Sequence, residues 1–228
     1  KMPEKLSDDE MMQELPAPDY KVMPHELKYN MNISMAGQQL TMQVDRVVEV
    51  MNDKVKLTTN VQSPMMNMKE ELLLNEDMTP VSKAINQGPV AMNFDFKEDK
   101  VKALMNMNGQ EKEMMTPLDN SVWDDNAGLY LALSQLKLEE GQERVLRVFD
   151  GQNNKVKNIK MKVIGMEDVE VPAGNFETYQ VELKDVDEDS TKTVFVNADD
   201  EKRTVVKVNS TIKQMGGAKA VLELTSME

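Results

Sequence analysis

Val169-Glu170-Val171-Pro172-Ala173-Gly174-Asn175-Phe176-Glu177-Thr178-Tyr179-Gln180-Val181-Glu182-Leu183 is the stretch whose reading decides the fold. It reads as a short strand, a tight corner at Pro172-Ala173-Gly174 and a longer strand from about Phe176. Proline fixes φ and glycine permits positive φ, so the corner is a defined turn between strands. Its expected role is architectural rather than that of a site.

Working back from that corner, the chain alternates apolar and polar residues with a period of two. Leu27, Tyr29, Met31, Ile33 and Met35 alternate with Lys28, Asn30, Asn32 and Ser34. Successive side chains of a strand point to opposite faces, so this is a half-buried strand. Leu40, Met42, Val44, Val48 and Val50 continue the pattern, and Arg46 interrupts it, which predicts a bulge near Arg46-Val47. Further strands follow around Val55–Val61, Met66–Leu74 (interrupted by Glu70), Val81–Ile85, Val90–Phe96, Val101–Met107 and Glu111–Met115. Asn108-Gly109 is the strongest hairpin signal, because both central residues of a type I′ turn need positive φ. Turn signals near 37, 52, 64, 76, 88, 98 and 108 space these strands as an antiparallel meander.

The pattern changes once. Trp123, Ala127, Tyr130, Leu131, Ser134 and Leu138 recur at three- and four-residue steps, and Leu129, Leu133 and Leu136 form a neighbouring stripe. This predicts one main helix over about 121–137, with Asp119, Asn120 or Asp124 as cap and Gly141 as stop. It is apolar around most of its circumference, so a sheet must curl around it. Strands resume at Arg144–Phe149, Ile159–Val163, Val169–Leu183, Val194–Val196, Thr204–Ile212 and Ala218–Leu224. The expected fold is mainly β: a single curved antiparallel sheet or incomplete β-barrel wrapped around one main α-helix. Residues 1–24 are expected to be an N-terminal arm or linker, with 25–228 a single β-rich domain. Pro16, Pro18 and Pro24 keep the lead-in extended. Whether it tethers the domain or packs on it stays open at this point.

Val171-Pro172-Ala173-Gly174-Asn175-Phe176-Glu177-Thr178-Tyr179 resembles the V-P-A-G-x-F corner of a family of uncharacterised exported bacterial proteins. Their sheets are similar to those of the lipoprotein carriers LolA and LolB. Asp199-Asp200-Glu201-Lys202-Arg203 and the strand after it resemble the family's D-x-x-R turn. Gly216-Gly217 with Val221-Leu222-Glu223-Leu224 resembles its closing strand. The motif match covers about fifty residues, and the outline covers roughly 25–228. The Met content and the acidic lead-in depart from the family pattern. The resemblance implies an exported protein of the periplasm or cell surface, and whether it is lipid-anchored through a removed N-terminus stays open at this point. A chain that starts at Lys1 fits a signal peptide already cut away.

Composition narrows the function classes. Net charge is -13, which repels phosphate backbones and anionic lipid and argues against nucleic-acid binding. No apolar run approaches the ~18 residues of a spanning helix. There is no Cys and one His, His25, so a thiolate nucleophile, a disulfide and a two-His zinc site are excluded. No Gly-rich phosphate loop precedes a helix. The expectation is a non-enzyme with no cofactor and no metal. Asp185–Asp189 lacks the spacing of a calcium loop and reads as a solvated hairpin tip. Met65-Met66-Asn67-Met68 carries soft thioethers suited to Cu(I), but adjacent residues of a strand face apart.

The unusual number is 21 Met beside one Trp, four Tyr and five Phe. Met fills irregular gaps and lines adaptable apolar surfaces. If the sheet wraps the helix incompletely, Met31, Met42, Met66, Met92, Phe94, Met105, Met107, Trp123 and Leu133 would line a cavity for a lipid or acyl chain. Plain core packing explains the same residues. Two functions therefore stand side by side. One is a non-catalytic envelope carrier or sensor of an apolar ligand held between sheet and helix. The other is a structural or protein-interaction component of the envelope with a solid core, an envelope protein as its partner and no ligand.

Overall fold

A computed structural model describes residues 6–11, 13–35, 37–64, 67–188, 190–212 and 216–228. Its fifteen strands, counted among the described residues, belong to one sheet. The first eight form an up-and-down meander: β1 (His25–Met35), β2 (Gln38–Met51), β3 (Lys54–Gln62), β4 (Asn67–Asn75), β5 (Pro80–Gln87), β6 (Val90–Phe96), β7 (Lys100–Met107) and β8 (Gln110–Pro117). Then come β9 (Trp123–Asp124) and the main helix α2 (Ala127–Ser134); a single-turn helix α1 (Asp8–Met11) lies in the lead-in. A second meander follows: β10 (Glu143–Asp150), β11 (Lys155–Val171), β12 (Gly174–Asp185), β13 (Ser190–Asn197), β14 (Val205–Ile212) and β15 (Ala218–Met227).

The order across the sheet is β8-β7-β6-β5-β4-β3-β2-β1-β15-β14-β13-β12-β11-β10-β9. The two meanders are thus joined by antiparallel pairing of β1 with β15, Tyr29 opposite Leu224 and Ile33 opposite Ala220. Among the described residues only β9 with β10 is parallel. No hydrogen-bonded ladder closes β8 onto β9 among the described residues, so the barrel is open. Side chains bridge the opening instead. Phe94 and Phe96 meet Phe149 edge-on at 5.8 and 5.3 Å, and the Thr116 hydroxyl donates to the Asn154 carbonyl at 2.9 Å. These rings belong to a small core separate from the main one.

α2 is shorter than the spacing predicts. Trp123 and Asp124 pair with Val148 and Phe149 as a strand. Asn126, at φ 59°, then turns the chain into the helix without a side-chain cap. Neither Asp119, Asn120 nor Asp124 caps it, and it ends at Gln135 rather than near Gly141. All eight residues are buried, and each fully buried Leu contributes roughly 1.5–3 kcal/mol. The free carbonyls at its C-terminus meet Arg203: Nε donates to Ser134 O at 2.8 Å and Nη2 to Leu136 O at 2.7 Å. A cation there satisfies orphan acceptors and opposes the negative end of the helix dipole. The Arg of the D-x-x-R turn is therefore a helix cap.

The lead-in packs on the domain. The Asp19 and Tyr20 amides donate to the Gln135 carbonyl at 2.8 and 3.0 Å, and the Tyr20 ring lies 4.3 Å from the Arg203 guanidinium carbon. Two other local expectations change. Val169–Val171 is the end of a 17-residue strand, bent by a register shift between Val163 and Gly165, rather than a separate short strand. Pro172-Ala173 is a two-residue turn with Val171 opposite Gly174, and the Ala173 amide donates to Leu224 O at 3.1 Å. No bulge occurs at Arg46. β2 pairs without a break on both sides, and the irregularity lies between Lys28 and Tyr29 on the β15 side.

Candidate functional site

Alternation along β2, β3 and β4 lays side chains on the inner face in rows. One row runs Val44, Val61, Met68 in direct register. The next runs Arg46, Thr59, Glu70, Ile85, Met92. Neighbouring members of a row stand about 4.8 Å apart, one strand spacing. Beside these rows, opposite α2, lies a cavity of about 450 Å³. That is within the range of small-molecule sites, roughly 300–1,000 Å³. Leu129 and Tyr130 face it from the helix, Leu222 and Ala220 from β15, and Ile159 and Leu183 from β11 and β12.

Of the residues expected to line a cavity, Met31 and Met92 do so. Met42, Trp123 and Leu133 are buried in the main core and Phe94 in the smaller one. Met105 is half-buried on β7, and Met107 is exposed at its end. Met66 lies outside the described residues. Met68, Val44, Val61 and Leu129 complete the apolar wall.

The rest of the lining is charged, which the apolar expectation missed. Lys83 bridges Glu70 at 3.1 Å and both oxygens of Asp124 at 2.9 and 3.0 Å. Burial alone lowers the Lys83 pKa, but the two carboxylates outweigh it and hold the ammonium firmly protonated. Asp124 is completely buried, and burial pushes its carboxyl up to about 7, against the pull of Lys83. A second cluster surrounds Lys157, with Asp150 at 2.8 Å, Asp125 at 3.3 Å and Asp185 at 3.7 Å. Here too the acids override burial and raise the lysine. Burial works against the charge of Asp150, yet bonds from Lys157 and Asn153 hold its pKa low. Lys157 supplies the positive charge that three carboxylates require. Lys192 donates to Asn126 Oδ1 at 3.0 Å.

Asp185 is thus turned inward, not solvated at a tip. Its Oδ1 accepts the Asp187 and Glu188 amides at 3.0 and 2.9 Å, and Glu188 lines the cavity. Asp189 lies outside the described residues. A signal for the inward charges does exist in the sequence: Arg46, Glu70 and Lys83 each fall in phase with apolar neighbours two residues away.

No helix among the described residues is long and apolar enough to cross a membrane. No curated protein matches the chain. Its fold is similar to that of a beta-barrel-like protein of domain of unknown function DUF1849 from Brucella abortus, with TM-score 0.59 at 10% identity, over 93% of this chain and 99% of that one. Weaker similarity links it to a Bacteroides fragilis protein with a YmcC-like fold (TM-score 0.38, 9% identity, 93% and 100% covered). A DUF1329 family protein from Desulfovibrio piger stands at TM-score 0.39 and 10% identity, with 90% and 85% covered. At these identities the likeness is one of fold alone. Residues 27–223, nearly the whole of both meanders, match the family described as protein of unknown function (DUF3108), and the chain belongs to that family.

Proposed function

We propose that this chain is a non-catalytic binding protein of the bacterial cell envelope, a carrier or sensor that holds a lipid or acyl chain between its sheet and α2. The observation that carries the reading is the cavity of about 450 Å³ beside the helix, walled on one side by Met31, Met68, Met92, Val44 and Val61. Unbranched Met side chains adapt to a flexible ligand better than Leu or Ile do. The open interior counts against the alternative of a structural component with a solid core. The ion-paired lysines and carboxylates are engaged with one another, which supports binding over catalysis. The envelope location rests on the resemblance of the Val171–Tyr179 corner to exported proteins.

Native mass spectrometry of the purified protein tests this. The expected result is a non-covalent mass addition that organic extraction removes and added lipid restores. Clean apo spectra before and after lipid addition would contradict it.

A further inference from the structure

Arg46 lines the cavity with only 7% of its surface exposed. A buried guanidinium is costly unless an acceptor meets it. Lys83 and Lys157 have their carboxylates; Arg46 pairs with none among the described residues. Its Nε is buried without a hydrogen-bond partner among those residues. Its neighbour in register, Thr59, is equally buried, and the Thr59 hydroxyl also lacks a partner among the described residues. The closest acid in the row, Glu70, is committed to Lys83. What holds Arg46 in place is aromatic: the Tyr29 and Tyr130 rings lie 5.1 and 5.5 Å from its guanidinium carbon. The rings fix the plane of the guanidinium; the Tyr29 hydroxyl also shares a hydrogen bond with it, while Nε stays enclosed and unsatisfied among the described residues. Behind it lies a void of about 20 Å³, bounded by His25, Ser134 and Thr204, with room for about one water.

Resting on the carrier reading, we infer that Arg46 and Thr59 form an anion subsite, and that the ligand is a single-chain amphiphile ending in a carboxylate. The carboxylate meets the guanidinium fork from the cavity side, and a turn of Thr59 about χ1 brings its enclosed hydroxyl round to donate to the same carboxylate. The chain runs along the adjacent row, Val44, Val61 and Met68, toward Met31. At the other polar end Asp125, Asp150 and Asp185 outnumber Lys157 and the neighbouring Lys192, and this excess negative charge repels an anion and fixes the orientation.

The test compares dodecanoate with its methyl ester at pH 8, on wild type, Arg46→Met and Thr59→Val. The expected result is at least tenfold tighter binding of the acid by wild type. Arg46→Met removes that preference while keeping ester affinity, and Thr59→Val weakens the acid by a few-fold. Equal binding of acid and ester by wild type overturns the anion subsite, leaves the carrier reading standing, and means that water alone solvates Arg46. Binding of neither ligand overturns both. Arg46→Met folds without a buried charge to accommodate. If it does not fold, the wild-type comparison and Thr59→Val decide the matter alone.

Discussion

Arg46 and Glu70 look like interruptions of their strands, and both, like Lys83, are inward-facing residues that keep the strand's phase. A charge in phase with apolar neighbours points into the core as surely as a leucine does. What the local pattern could not supply was the partner. Lys83 finds Asp124 forty-one positions away, on the short strand before α2. We predict that Lys83→Met destabilises the protein by about 3–5 kcal/mol, because it leaves Glu70 and Asp124 buried without a cation. Urea unfolding measures this, and a loss below about 1 kcal/mol would show that the pair is not desolvated as described. The single histidine offers a cleaner probe. Burial lowers the His25 pKa, opposed by the bond from Nδ1 to Met23 O at 2.7 Å. An NMR titration of this one imidazole should give a midpoint below 6.5. Since the folded value is depressed, its contribution to stability is present above the unfolded pKa and lost as pH falls through the folded one. A midpoint above 6.5 would mean that the ring is not desolvated.

At the scale of elements, hairpins read well from sequence because they are local. Asn108-Gly109 takes positive φ at both residues, 53° and 80°. Pro172-Ala173 makes the turn that its chemistry demands. The helix reads well in its middle and poorly at its ends. Trp123 fits its spacing and Asp124 reads as a cap, but their backbone is taken by β10, a contact no helical period reveals. The long strand β11 looks like two strands in the sequence because Gly165 and the charged residues after it hide a continuous strand behind a bulge. Packing at the start of α2 yields a prediction. A Cβ on Gly128 would stand 2.7 Å from Asp124 Cβ and 3.0 Å from Leu72 Cδ2. Alanine ordinarily favours a helix over glycine by about 1 kcal/mol. Here Gly128→Ala should instead cost about 1–3 kcal/mol through overpacking against the buried strand. Thermal or denaturant unfolding checks the sign, and a stabilised variant would place β9 farther from the helix.

For the whole molecule, the mainly β class and the curling of a sheet about an apolar helix follow from the sequence. The joining of β1 to β15, almost two hundred residues apart, does not. Neither does the closure of the open edge by Phe94, Phe96 and Phe149. The candidate site divides the same way. A Met-bearing wall was expected, and Met31 and Met92 stand on it. The inward charges are legible from their phase, but their pairing with Asp124 and Asp125 emerges only when elements distant in sequence are brought together. The central claim is that the interior beside α2 holds an acyl chain. Its most direct test is the titration of a fluorescent acyl probe into wild type and into Val61→Trp, a substitution that fills the cavity from β3. Saturable one-to-one binding with blue-shifted emission in wild type, lost in a folded Val61→Trp, is the predicted result. Equal binding by both proteins, or none by wild type, would contradict it.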